Sequence, residues 1–394
     1  MLNIFIFFIV VIMIIFYYKI KNRVDVFLIF VALLIVYFYP ILFFDNIYLY
    51  TTSVAVSIKA KIILFLTIIF ILFSGLLYKT TKIIDIDNNL NNNLFIGIIV
   101  FFSVSIFIIT YSKIGLAFLS HHDKGYMTLQ LGKLEPIYHI MGILLITTII
   151  RYRVKKFYLL LLLFVIYDIL LGFRMLTFVL IIQLLLYYEN TKLLKFILFG
   201  FFAFIIIIVI KETDYFSRDL DALILLWNKF TKNPFVYIMI FNSESSSISA
   251  VFNEIVKNEF LINPIYYFES LLKLFPFLDL KSFSYYYKGV LFGKEGDSFA
   301  SGMFSVSYSL FGIFSYIIFI LIISYILYFY ETKFKKIKKI EIQVFGYSVL
   351  SIVIFYHIFR SDLMAIVIYL RSFFIFIFIF HIIKILLLQF KKIK

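Results

Sequence analysis

The chain has 394 residues, 64% hydrophobic and only 15% charged, with a mean hydropathy of +1.06, whereas soluble domains run at about 45–50% apolar and about 25% charged. A soluble globular domain is excluded, and the absence of cysteine removes disulfides, thiolate metal sites and cysteine nucleophiles. The net charge of +15 points to anionic lipid or an anionic substrate; it argues against nucleic acid, because the basic residues gather at the ends of apolar runs and form no continuous stripe with interleaved aromatics.

Crossing about 30 Å of hydrocarbon takes an apolar run of roughly 17–25 residues. Such runs read near 2–18, 24–44, 60–78, 94–114, 136–150, 157–173, 175–189, 193–210, 302–330, 343–359 and 366–389, about eleven in all. The expected fold is therefore all-α: a polytopic integral membrane protein with about eleven transmembrane helices and one large extracytoplasmic loop. The first run lacks a basic stretch ahead of it and a small-residue cleavage site, so it reads as a retained span. Asn88–Asn93 reads as a linker.

Residues 1–211 form an N-terminal bundle of about eight helices and 301–394 a C-terminal group of about three, separated by residues 212–300. That segment, with Lys211, holds half of the 22 acids of the chain. No bilayer accepts it as a simple span. Within it Ala222–Trp227, Val236–Phe241 and Tyr266–Phe275 are amphipathic enough to lie on the membrane surface as short helices. Ser245-Ser246-Ser247 and Gly293–Gly296 read as flexible turns, and Tyr285-Tyr286-Tyr287 as part of an interfacial aromatic girdle.

Basic clusters at 19–23, 151–156, 333–339 and 391–394 set the expected orientation, since short loops rich in Lys and Arg stay in the cytoplasm. Placing all four inside requires an odd number of spans, the N-terminus outside and the C-terminus cytoplasmic. The 212–300 loop then faces outward, and the membrane expected is a bacterial cytoplasmic one.

Arginine is scarce, with seven in the chain, and guanidinium offers planar, bidentate anion binding that ammonium does not. Arg174, Arg218, Arg360 and Arg371 fall on the expected outer side. Arg371 lies inside an apolar run, where an ionisable group is expensive and points to function. Converging guanidiniums at a membrane surface suit phosphate or pyrophosphate; the other reading is snorkelling to lipid headgroups. Asp168, Asp362, Glu135 and His139 are candidate general bases, Glu135 and His139 standing one helical turn apart. Asp168 and Asp362 have a second reading, as ion-pair partners that hold Arg174 and Arg360. His121-His122-Asp123 reads as a solvated outer loop. The five histidines show no metal-ligand spacing, so no metal is expected.

The layout of about a dozen spans with a late outer loop, and the turn Leu171-Gly172-Phe173-Arg174-Met175-Leu176, resemble the O-antigen and capsule repeat-unit polymerases of the Wzy type. The stretch Asp297-Ser298-Phe299-Ala300-Ser301-Gly302-Met303-Phe304-Ser305-Val306-Ser307-Tyr308-Ser309-Leu310-Phe311-Gly312 is similar to that family's return into the membrane, although Ser307 stands where family members often carry an acid. The resemblance implies transfer of a glycan from undecaprenyl pyrophosphate to a hydroxyl of the next lipid-linked repeat unit, on the outer face, giving O-antigen, capsule or exopolysaccharide. It implies pyrophosphate binding by Arg174 and Arg360, with Arg371 and Arg218 as further candidates, and neither cofactor nor nucleotide sugar. Implied partners are the undecaprenyl-pyrophosphate-linked glycan, membrane lipids, and chain-length regulator and flippase proteins.

Two other readings compete. An O-antigen ligase has a similar layout but is expected to use a histidine in its large outer loop, and none occurs between Lys211 and Ala300. A lipid-linked oligosaccharide flippase is expected to have twelve or more regular spans and short loops, which the long loop argues against.

Overall fold

A computed structural model of the chain describes residues 2–49, 52–78, 90–116, 124–187, 243–275, 282–292 and 301–393, with the isolated positions 192, 195, 198, 224, 228 and 231. The protein is mostly helical, and the single sheet among the described residues is a two-stranded hairpin. In chain order the elements are α1 (Leu2–Lys21), α2 (Val26–Phe43), β1 (Asn46–Leu49), β2 (Thr52–Ala55), α3 (Ile58–Leu76), α4 (Leu90–Ile114), α5 (Lys124–Leu131), α6 (Leu134–Tyr152), α7 (Tyr158–Leu170) and α8 (Met175–Tyr187). There follow α9 (Ser243–Lys257), α10 (Ile265–Leu272), α11 (Phe283–Phe292), α12 (Met303–Phe311), α13 (Ile313–Thr332), α14 (Ile340–Arg360) and α15 (Leu363–Ile393).

Eight of these helices are long and apolar enough to cross a bilayer: α1, α2, α3, α4, α6, α13, α14 and α15. Their outward faces carry bare apolar side chains, such as Phe5, Phe8 and Phe16 on α1, Phe314 and Leu321 on α13, and Phe374 and Phe378 on α15. Water would not tolerate so continuous an apolar surface; hydrocarbon does. The chain is a polytopic membrane protein.

The apolar runs at 157–173 and 175–189 become α7 and α8, of 13 residues each. At 1.5 Å per residue each covers about 20 Å, short of a full span. The run at 193–210 lies almost wholly outside the described residues. The run at 302–330 is not one helix, because Gly312 at φ +65 breaks it into α12 and α13, a backbone angle that favours glycine. The expected linker at 88–93 gives way in part to helix, since α4 begins at Leu90.

Helices α14, α6 and α2 are the most buried of the spanning helices. Asp25 caps α2, its Oδ1 accepting the Leu28 N–H at 3.0 Å, which satisfies one of the orphan donors of the first turn. The other oxygen accepts the Tyr17 hydroxyl at 2.6 Å. Close by, Glu331 near the end of α13 pairs with Arg23 and, at 2.9 Å, with Lys335. All these side chains are ionisable, and all are buried.

The Ser245–Ser247 stretch is not a turn. It belongs to α9, which packs lengthwise on α2. Pro40 inside α2 has no N–H to give the carbonyl of Val36 four residues back, and Ser245 Oγ donates to that carbonyl at 3.0 Å. Ser249 Oγ donates to the next one, of Tyr37, at 3.1 Å. Asn253 continues the seam, its side-chain carbonyl accepting Ser57 N–H at 2.7 Å and its amide donating to Ala55 O at 3.1 Å. Tyr266–Phe275 does form a short amphipathic helix over most of its length, α10, with Phe268 and Leu271 exposed. Most of 222–227, all of 236–241 and Gly293–Gly296 lie outside the described residues.

The return at Gly302 approaches α14 so closely that a Cβ there would strike the backbone of Phe359 and Ile358. Across the bundle, the Thr67 and Tyr316 hydroxyls share a hydrogen bond of 2.9 Å between α3 and α13.

Candidate active site

The turn between α7 and α8 builds the first half of the site. Gly172 takes φ +79, and Phe173 N–H reaches back to the Asp168 carbonyl at 2.9 Å, the bond pattern that closes a helix around a left-handed glycine. The chain then turns into α8 so that the Leu176 N–H donates to Asp168 Oδ2 at 3.0 Å. A carboxylate at the first turn of a helix is held both by that amide and by the positive end of the helix dipole.

The second oxygen of Asp168 lies 3.1 Å from His139 Nε2, and both side chains are fully buried. His139 comes from α6, its ring meeting Phe173 edge-on with centroids 4.9 Å apart. A bonded pair such as this is the way an apolar interior accommodates a carboxylate. Asp168 is thus engaged with His139 and a backbone amide.

The second half comes from α14 and α15. Residues Leu350–His357 form a π-helical stretch within α14, a form found mostly as short interruptions at functional sites. Gln183 of α8 donates to Tyr347 O at 2.9 Å and to Ser351 Oγ at 2.7 Å at the start of that stretch, supplying donors where the regular ladder changes. At its end His357 Nδ1 lies 2.8 Å from Ser361 Oγ. The His357 ring lies against that of Tyr369 on α15, with centroids 4.3 Å apart and planes 37° apart. The Tyr369 hydroxyl is 3.4 Å from His139 Nδ1, which joins the two halves.

Arg360 donates to the Tyr356 hydroxyl and acts electrostatically on Tyr369, as do Glu135 and Asp168. Arg174 is half-buried two residues before Leu176. Glu135 stands in the first turn of α6, also half-buried. These residues belong to one end of the bundle, where α6, α8 and α15 start and α7 and α14 stop.

Asp362 has a different environment. Its Oδ2 accepts the Phe283 N–H of α11 at 2.9 Å and the Tyr266 hydroxyl of α10 at 3.3 Å, and its Oδ1 accepts the Ala365 N–H at 3.2 Å. Burial, with the Asp362 carboxylate next, raises the Tyr266 phenol well above its ordinary range, so it remains a donor. Arg371 donates from Nη1 to the Lys273 carbonyl at 3.0 Å, just past the end of α10. Asp362 and Arg371 tie the loop helices to α15. Arg218 and His121-His122-Asp123 lie outside the described residues, and among the described residues no three His, Asp or Glu side chains converge as a metal site would need.

The sequence singles out Asp168, His139, Glu135 and Arg360, which the structure brings to one end of the bundle, but not His357, Ser361 or Tyr369. His357 stands at no metal-ligand spacing from another histidine, and Tyr369 is one of 30 tyrosines. The usable signal was the polar spacing His357, Ser361, Tyr369 across two apolar runs.

No family model, no curated protein and no solved structure matches the chain.

Proposed function

We propose that the protein is a membrane glycosyltransferase that polymerises undecaprenyl-pyrophosphate-linked oligosaccharide repeat units. The observation that carries this reading is the buried Asp168–His139 pair at a bundle end that also bears Arg174 and Arg360. An imidazole backed by a carboxylate is a general base. Guanidiniums at the same end of the bundle suit a pyrophosphate leaving group, whose charge grows in the transition state.

In this mechanism the growing glycan stays on its lipid pyrophosphate until the hydroxyl of the next unit attacks the anomeric carbon. The C–O bond to the new unit forms as the bond to the pyrophosphate breaks, and the lipid diphosphate leaves with the electron pair. His139, oriented by Asp168, draws off the hydroxyl proton. Arg174 and Arg360 neutralise the departing diphosphate. Helices α10 and α11, tied down through Asp362 and Arg371, cover the site and select the glycan. The orientation that goes with this reading puts the site on the outer face of a bacterial cytoplasmic membrane, with the N-terminus outside and the C-terminus cytoplasmic.

Glycan analysis of a strain lacking the gene tests it. Loss of long chains with single repeat units still displayed is the expected outcome. Units trapped inside the cell would point to a flippase, and loss of all surface attachment to a ligase. Complementation with Arg174→Ala or Arg360→Ala should lower chain elongation about 10²–10³-fold, the loss seen when one charge-stabilising donor is removed. Normal chain length in both variants would overturn these roles.

A further inference from the structure

Tyr369 has no part in the mechanism above, yet it stands at its centre. Ionised, Asp168 accepts a hydrogen bond from His139 Nε2–H, which leaves Nδ1 with a lone pair, because a neutral imidazole has one donor and one acceptor. The group facing that lone pair is the Tyr369 hydroxyl, 3.4 Å away. Such a contact tightens when substrate binds. Donating to His139 leaves the phenol oxygen its own acceptor lone pairs.

On its other side the Tyr369 ring is held by His357, whose Nδ1 is engaged by Ser361 at 2.8 Å. His357 Nε2 is buried and has no hydrogen-bond partner among the described residues. A buried polar atom left unpaired costs about 1–3 kcal/mol. Four ionisable side chains, Asp168, His139, Tyr369 and His357, therefore meet from four different helices inside an apolar bundle, and one of them ends in an unpartnered ring nitrogen. Packing alone would be served better by apolar side chains. The charged groups around Tyr369 are Glu135 and Asp168 on the acidic side and Arg360 on the basic side.

Resting on the transferase reading, we propose that Tyr369 is a catalytic residue that relays the acceptor proton to His139, with His357 Nε2 holding the acceptor sugar. The acceptor hydroxyl gives its proton to the Tyr369 oxygen as its own oxygen bonds to the anomeric carbon. The phenol proton passes in the same step to His139 Nδ1. The imidazolium so formed is stabilised by Asp168 and loses its proton to solvent after the lipid diphosphate departs. Atoms and charge balance without a metal or a redox partner.

The experiment uses the full-length protein in lipid nanodiscs and lipid-linked repeat units extracted from a strain lacking the gene. Tyr369→Phe should lower kcat about 10²–10⁴-fold, the range for acid–base catalysis, with KM within about threefold. Replacing Tyr369 by 3,5-difluorotyrosine, nearly isosteric but more acidic, should restore turnover with the pH profile displaced to lower pH. A residue that only fills space would not move that profile. Tyr316→Phe, remote from the site, serves as the control with unchanged turnover. Wild-type kcat in Tyr369→Phe, or an unmoved profile in the fluorinated protein, overturns the relay; the fluorinated protein decides alone if the Phe variant does not fold. A wild-type protein that transfers nothing from the lipid pyrophosphate removes the transferase reading itself, so the two failures are told apart.

Discussion

Asp362 shows how one carboxylate can organise a surface. Its two oxygens collect a tyrosine hydroxyl and two backbone amides from three helices, and hydrogen bonds to a charged group contribute about 1.5–3 kcal/mol each before any coupling among them. Replacing it by alanine should loosen α10 and α11 without melting the bundle. The expected result is limited proteolysis at 265–292 well faster than in wild type while the thermal midpoint of the bundle changes little; equal cleavage rates would show that Asp362 does not hold these helices. In the sequence Asp362 reads as a base or as a partner for Arg360, because both readings need only that the residues be adjacent. What decides is the arrival of Tyr266 and Phe283, from nearly eighty and more residues away, and no local pattern announces that. Asp168 and His139 were legible as acids and bases for a simpler reason: a polar side chain in an apolar run is conspicuous. Their pairing, across 29 residues, was not.

At the scale of elements, serine and proline explain each other. Ser-Glu-Ser-Ser-Ser looks like a turn, since serine competes with the backbone for hydrogen bonds and forms helix poorly. It becomes helix here because the Ser245 hydroxyl has a partner on α2, the carbonyl that Pro40 leaves bare. Ser245→Ala should therefore cost about 1–3 kcal/mol, the price of an unmet buried carbonyl, read as a lower unfolding midpoint. In a Pro40→Ala background the restored N–H satisfies Val36 O, and the same substitution should cost close to nothing. Equal losses in both backgrounds would refute the coupling. Long apolar helices were easy to read from composition, because hydrocarbon demands about twenty apolar residues in a row. The break at Gly312 was not, because a lone glycine in an apolar run is compatible with helix and only its positive φ shows the interruption.

Among the described residues the buried charged side chains gather at the two ends of the bundle. One end holds the Asp168–His139–Tyr369 cluster; another buried network, Arg23 with Glu331 and Lys335, joins the turn between α1 and α2 to residues some three hundred positions later. Removing one member of a buried pair strands the remaining charge and costs about 3–5 kcal/mol. Glu331→Gln should lower the unfolding midpoint sharply, and a Glu331→Gln, Arg23→Gln double variant should recover part of the loss; no change in the single variant would mean that the two cations find other support. The π stretch of α14 carries one further consequence. Between Val349 and Ile358 the helix is wound more loosely than on either side, so the number of residues separating its two ends is not dictated by an α-helical repeat. Here the fold has slack of about one residue, and a single insertion or deletion could be absorbed by tightening or loosening the winding. Elsewhere in α14 the same change would turn every later side chain by about 100° and carry His357 and Arg360 away from the cluster they complete.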